Sequence, residues 1–425
     1  MPAARLEFCD RYGYPEAVRE HFRRLLAFVD GRKVSSVILL GSTSRGELGV
    51  VEEGKEVTLF SDYELLVVGR GRAGRSESER LRREWGRLEE EIRLRSPLFH
   101  IDFAYVPRAR LRRLPRRWWT YELRQRGIVI FGEDCTEELP EVGLENLDYQ
   151  ELNEVLIWRL WALLLHLPMP GLLTGQLETG VERRYRYLLA KNALDLTTWL
   201  LPLEGVLLPS FGERVAYLSG HFAELNSSSV MGADFPPFLR RCLQAKRGGV
   251  MPGSPGALYL ETIGYFGRAA RFLCRRYRLG DEGEDWREAV LRARGRLFRE
   301  WRPRQKLRQL WRWPLVARQR GWARSLKWLL GVRGARLLLC LYEMHFAVAA
   351  ALEGPEEQQA MEHLRAAVRR CEELALRTSC VDGARQGFAE MWSALRRLIA
   401  RHMADTYGVV GRREDELAAL LASDG

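Results

Sequence analysis

The sequence predicts a mixed α+β protein, with a sheet confined to residues 31–140 and a mainly helical region after it. Three observations predict this. Apolar or alternating runs at residues 34–40, 63–68 and 99–106 read as strands. Residues 123–132 (LRQRGIVIFG) read as a helix running into a further strand, and 76–95 as a helix between the second and third strands. Beyond residue 145 the texture changes: 152–167 and 181–201 are long apolar-periodic stretches, broken at Pro168, Pro170 and Pro202, with no alternating run behind them. The expected organisation is an N-terminal helical segment (1–30), the sheet-bearing core (31–140), a helical domain (141–280) and a basic, Trp-rich, then amphipathic helical region (281–425).

Composition limits the class. A chain of 425 residues that is 46% hydrophobic and carries 13 Trp can build two or three cores, which argues against general disorder. No apolar run reaches the length of a membrane span. The opening Met1-Pro2-Ala3-Ala4-Arg5 lacks the apolar centre of a signal peptide, so the expected location is cytoplasmic. Seven cysteines without a C-x-x-C pair indicate neither a disulfide framework nor a zinc knuckle and read as reduced, structural thiols.

The chemistry concentrates early. Strand 34–40 breaks at Gly41-Ser42, where backbone N–H groups and a hydroxyl can meet phosphate oxygens. The strand at 63–68 opens with Asp62 and Glu64, two residues apart and so on one side of the strand. Two adjacent carboxylates call for a cation, and hard oxygen ligands suit Mg²⁺, which fills its other positions with water and substrate phosphates. In the strand at 99–106, Phe99, Ile101, Phe103 and Tyr105 take one face, while His100, Asp102 and Ala104 take the other. An acid buried in such a strand needs a partner, and a metal shared with Asp62 and Glu64 would be one. A carboxylate pairing with an arginine is the plainer alternative.

A Gly-Ser turn, then Asp-x-Glu at a strand start, then a lone acid in a later strand resembles the nucleotidyltransferase core of the DNA polymerase beta superfamily, which includes the aminoglycoside nucleotidyltransferases. The resemblance covers residues 30 to 135. Two features depart from the family pattern: residues 48–60 form a longer connection, read as an exposed loop, and the second acid is Glu where many relatives carry Asp. The resemblance implies an α/β core with a mixed sheet and transfer of a nucleoside monophosphate, by default AMP, from an NTP to a hydroxyl-bearing acceptor. It further implies two Mg²⁺ ions held by Asp62 and Glu64, with Asp102 on the acceptor side, and terminal phosphates placed by Gly41 and Ser42, with Arg45 in the same turn as a further nucleotide ligand. A helical domain after the core would supply cations to the triphosphate. Arg184 and Lys191, on one face of the helix at 181–201 with Leu188 and Asp195, are the candidates.

Other motifs compete. Gly69-Arg70-Gly71-Arg72-Ala73-Gly74 matches a dinucleotide-binding turn, but that fold leaves Asp62 and Glu64 unexplained, so a basic loop at the mouth of the site is expected, with Arg70, Arg72 and Arg75 open to a polyanion. Arg159 and His166 fit a loose Arg-x-His spacing found in helical ribonuclease domains, and read more simply as a surface arginine and a satisfied histidine. His100 shares a strand face with Asp102. From Arg287 to Arg336 sixteen Lys/Arg stand against two acids, a local excess larger than the +11 of the whole chain, with five Trp interleaved. That pattern suits an anionic membrane surface, a nucleic-acid backbone or an acidic glycan, and equally a core-facing helix with a solvated rim. A smaller basic run, residues 108–117, precedes Trp118-Trp119. Two other functions stay open: a binding or regulatory protein on this fold without turnover, and a template-independent RNA nucleotidyltransferase.

Overall fold

The computed structural model describes residues 5–54, 56–71, 74–147, 149–248, 251–276, 333–353, 357–373 and 388–407. The early part follows the order α1 (Glu7–Tyr12), α2 (Glu16–Ala27), β1 (Val34–Leu40), α3 (Gly41–Ser44), β2 (Val50–Glu53), β3 (Glu56–Leu59), β4 (Tyr63–Gly69), α4 (Gly74–Arg93), β5 (Ile101–Pro107), α5 (Trp118–Arg126) and β6 (Ile128–Gly132). The fold is mixed α+β and helical towards the C-terminus, as the sequence predicts.

Four strands form a mixed sheet in the order β5-β4-β1-β6. Strand β1 is antiparallel to both β4 and β6, whereas β4 and β5 run parallel, joined by the long crossover that contains α4. A central strand covered on both faces should read as a continuous apolar run, and Val34–Leu40 is buried along almost its whole length. Side chains alternate faces. Val37, Leu39, Tyr63, Leu65, Val67, Ile101 and Phe103 pack with Phe8, Phe22, Leu25 and Trp85 from α1, α2 and α4. Ile38, Leu66 and Val68 look the other way, towards Leu111 and Leu123. Phe22 lies 4.5 Å from the Tyr63 ring and 5.3 Å from Phe8, so aromatic contacts anchor α2 to the first face.

Residues 48–60 are not the loop that their Gly and Glu content suggested. They fold into the antiparallel hairpin β2–β3, with Glu53 opposite Glu56 and Gly54 following β2 at φ +63°. A left-handed residue at that place matches the strand twist, which is why Gly serves there.

The chain divides into two compact units. The first comprises residues 1–148, 201–225 and 236–251, so it takes in more than the 31–140 stretch expected to hold the core. The second comprises 149–200, 226–235 and 252–425. Its described part is helical, including Tyr149–Leu165, Thr179–Leu203 up to Leu200, Pro255–Arg276, Arg333–Glu353, Glu357–Glu373 and Phe388–Tyr407. Pro168 precedes and Pro170 enters a short helix, Met169–Thr174, whose first turn needs no N–H from proline. In this unit Trp199 is fully buried, donates to Asn153 Oδ1 at 3.1 Å and meets Phe272 edge-on. No described helix is long and apolar enough to cross a membrane.

His345 is wholly buried in the second unit and satisfied as a neutral ring: the Tyr259 hydroxyl lies 2.7 Å from Nδ1, and Nε2 lies 3.0 Å from the Leu160 carbonyl. Burial pulls its pKa from 6.5 down to about 3, against a smaller upward pull from the Leu160 carbonyl. The unfolded chain therefore binds more protons between those values. Stability rises with pH across that window and is lost as pH falls from about 6.5 towards 3. His21, drawn down to about 4 chiefly by burial, acts in the same sense in the first unit. Urea denaturation should show a lower midpoint at pH 5 than at pH 7.5, and His345→Gln should narrow that difference; an unaltered pH dependence in the variant would rule out His345 as a source.

Candidate functional site

The parallel pairing of β4 with β5 sets Glu64 directly opposite Asp102. Their neighbours Tyr63, Leu65, Ile101 and Phe103 belong to the core on the helical face, so Glu64 and Asp102 project from the other face. Asp62, one residue before β4, falls on the same side by the same alternation. The three acids thus share one face and one end of the sheet, where Leu40, Glu64, Asp102, Ala104 and Trp119 line a cleft of about 290 Å³. Their depth differs from the expectation. Asp102 is exposed on edge strand β5, so water solvates it and the cost of burial demands no partner. Asp62 and Glu64 are half-buried.

Strand β1 delivers the Gly-Ser turn to this end of the sheet, since Leu40 pairs with Glu64. Gly41 has φ +72°, and a Cβ there would lie 2.6–2.8 Å from the Glu64 carboxylate atoms. The position therefore needs glycine twice, for its backbone angle and for the acid packed against it. The Ser42 carbonyl accepts from the Glu47 N–H at 2.9 Å, and Ser44 Oγ donates to the Gly41 carbonyl at 3.0 Å, which closes the turn on itself.

Behind the turn lies a buried charge network. Arg45, only 6% exposed, donates to Glu47 Oε2 at 3.1 Å and to Glu122 Oε2 at 2.9 Å. Glu122, on α5, also receives Arg214 at 2.5 Å, and Arg214 donates to the Leu208 carbonyl at 2.8 Å. Glu47 Oε1 accepts from the Gly212 N–H at 2.7 Å, at the start of the helix Phe211–His221, where a capping box between Ser210 and Glu213 fixes the first turn. Lys246 Nζ donates to the Glu47 carbonyl oxygen, and the Phe211 ring lies within 5.7 Å of Arg45, Arg214 and Lys246. Burial pulls the Arg45 guanidinium down, but Glu122, Glu47 and then Glu64 outweigh it and hold the charge firmly in place. For Arg214 burial prevails over Glu122 and its pKa is lowered. Arg45, Arg214 and Lys246 thus stand with Glu47 and Glu122 behind the turn, and Glu64 adds a further negative field on Arg45.

Arg45 accordingly turns inward, to Glu47 and Glu122. Arg184 and Lys191 stand on the helix Thr179–Leu203 in the second unit, where Arg184 Nε donates to the Gly180 carbonyl at 3.2 Å. Arg159 pairs with Asp195 at 2.7 Å. His100 Nδ1 lies 3.4 Å from Glu89 on α4. Of the glycine-rich stretch, residues 72–73 lie outside the described residues, and its described start, Gly69 to Gly71, is not at the mouth of the cleft. Gly69 lies five residues along β4 from Glu64, or about 16 Å away at the strand rise. Arg70 there pairs with the exposed Glu133 at 2.7 Å. Of the basic segment from Arg287 to Arg336, residues 287–332 lie outside the described residues.

The three acids offer hard oxygen donors of the kind Mg²⁺ takes, on adjacent strands in register. Among the described residues no three His, Cys, Asp or Glu side chains are gathered closely enough to hold a metal ion. The Glu64 carboxylate rests against Gly41, so bringing the set together requires side-chain rotation while the backbone register already serves. Comparison with protein families, curated proteins and solved structures finds no match to this chain.

What sequence reading missed is the network, because its members are far apart in sequence: Glu47 bonds to residues 165 and 199 positions away. The one available signal was the run of Glu47 close behind Arg45, two opposite charges next to an apolar strand.

Two outcomes follow from these contacts. Glu122→Gln should destabilise the protein by about 3–5 kcal/mol, because it strips two buried guanidiniums of a shared counter-charge. Equilibrium unfolding in urea measures this, and a change below about 1 kcal/mol, the worth of an exposed pair, would contradict it. Gly41→Ala should cost about 1–2 kcal/mol from the left-handed angle alone. Glu64→Ala in the same chain should recover only the additional steric part, read as a coupling energy in a double-mutant cycle.

Proposed function

We propose that the chain is a metal-dependent nucleotidyltransferase that moves a nucleoside monophosphate, AMP by default, from an NTP to a hydroxyl-bearing acceptor and releases pyrophosphate. The observation that carries the reading is the register of Glu64 against Asp102 on one sheet face, with Asp62 beside them and a Gly-Ser turn packed on Glu64. This is the arrangement that the sequence resemblance to the DNA polymerase beta superfamily implies. Asp62, Glu64 and Asp102 would hold Mg²⁺, which supplies charge neutralisation and alignment for an in-line displacement at the α-phosphorus. Asp102, exposed at the rim, accepts the proton of the acceptor hydroxyl as its oxygen bonds to phosphorus and the bond to the pyrophosphate oxygen breaks. Gly41 and Ser42 offer backbone to the terminal phosphates. Trp119 and Leu40 wall the cleft with apolar surface.

A second reading, a protein of this fold that binds without turnover, is favoured by one observation: the three carboxylates do not converge on one point in the described structure. Incubation with each NTP and Mg²⁺, followed for pyrophosphate and for a nucleotide-bearing product including the protein itself, separates the two. Asp62→Asn or Glu64→Gln should lower turnover by roughly 100-fold or more, beyond the 10–100-fold typical of outer-sphere partners, with the melting temperature unchanged or raised as like charge is relieved. Near-native turnover in either variant would dismiss the assignment of these acids. Nucleotide binding with no pyrophosphate from the unaltered chain would select the second reading.

A further inference from the structure

Between β5 and α5 the chain crosses the same sheet face that carries the acids. Residues Arg108–Arg113 form a 3-10 helix, and Leu114 and Pro115 continue in extended backbone to Arg117. At three residues per turn, positions 111 and 114 fall together. Leu111 is fully buried against Ile38, Leu66 and Val68, and Leu114 packs on the same cluster, so the strap is pinned by its apolar side. Its other side is cationic. Arg108 is neutralised by Glu133 and Glu138. Arg110, Arg112, Arg113 and Arg116 are exposed, and among the described residues none of the four makes a side-chain hydrogen bond or ion pair. The strap ends at Trp118 and Trp119, both partly exposed, and Trp119 forms a wall of the acid-lined cleft.

We propose that this strap binds single-stranded nucleic acid, with Arg110, Arg112, Arg113 and Arg116 on successive phosphates and a base stacked at Trp119. Four exposed, unpartnered guanidiniums within seven residues concentrate positive charge on a surface that fits a polyanion, and the partly exposed face of Trp119 at one end supplies the second component of strand recognition. A bilayer is the weaker match, because membrane-surface segments present apolar side chains along with the cations. Here both leucines point into the protein. The inference stands on the surface alone and requires no transfer activity.

The test uses the full chain and a fluorescein-labelled 20-nucleotide oligouridylate, with binding followed by anisotropy from low to high salt. Four phosphate contacts should contribute a slope of about −3 to the dependence of log K on log salt, at about −0.7 for each. Changing Arg110, Arg112, Arg113 and Arg116 together to Gln should weaken binding at least tenfold and flatten the slope, while the exposed positions leave thermal unfolding unchanged. Because residues 287–332 are also basic, a 5-iodouridine oligonucleotide is photo-crosslinked in parallel and the attached peptides are mapped; attachment at Trp118 or Trp119 is expected. Unchanged affinity in the fourfold variant, or crosslinks confined to residues 287–332, would overturn the proposal. So would tighter binding to phosphatidylserine vesicles than to the oligonucleotide, lost in the same variant.

Discussion

The buried ion network around Glu122 is the constraint on which the first unit depends. Two arginines and a lysine are removed from water beside two carboxylates, a choice that gains little over apolar packing but makes any incomplete version costly. The network admits one arrangement, because every partner is shared. Glu122 serves two guanidiniums, Glu47 serves Arg45 and the start of a helix, and Phe211 offers its ring to three cations. The Gly41 turn is attached to it directly through Arg45 and Glu47. A flexible four-residue turn is thereby held at a fixed place against Glu64, and the site owes its placement to charges that do not line it.

The face shared by the acids was legible in the sequence, for a definite physical reason. Strand alternation is local, so the sharing of a face by Asp62 and Glu64, and the placing of Asp102 opposite to Phe103, follow from the backbone whatever surrounds it. The limits of β1 could be read to the residue, since an apolar run ending at a glycine has one interpretation. Depth could not be read. Asp102 was expected to be buried from its neighbours, but whether a strand face is covered depends on what crosses it, and β5 is an edge. The same applies to residues 48–60: two glutamates and two glycines suggest a loop, while the pairing of Val51 with Thr58 makes a hairpin of it. The glycine-rich motif shows the converse failure. Its local context was right, a strand before and a helix after, but the distance along β4 separates it from the acids.

The opposition of Glu64 and Asp102 rests on the register of two strands more than on the posture of either side chain. Rotamers of half-exposed carboxylates interconvert rapidly, whereas exchanging the β4–β5 register by one residue would send every core side chain of β5 to the wrong face. The core of Ile101, Phe103 and Trp85 therefore maintains the opposition of Glu64 and Asp102. Packing on one side of the sheet fixes chemistry on the other.

The discontinuity of the first unit bears on the order in which the chain can acquire its structure. The sheet is complete in sequence by residue 132, but Arg214 and Lys246 emerge from the ribosome more than eighty residues later. Until then Glu47 and Glu122 have Arg45 alone, and the polar interior behind the turn is open to water. Translation thus proceeds through the helices of 149–200, which belong to the other unit, before the first can close. A nascent chain in this interval lacks the two cations that complete the network of Glu47 and Glu122, whatever part of the sheet it has already paired.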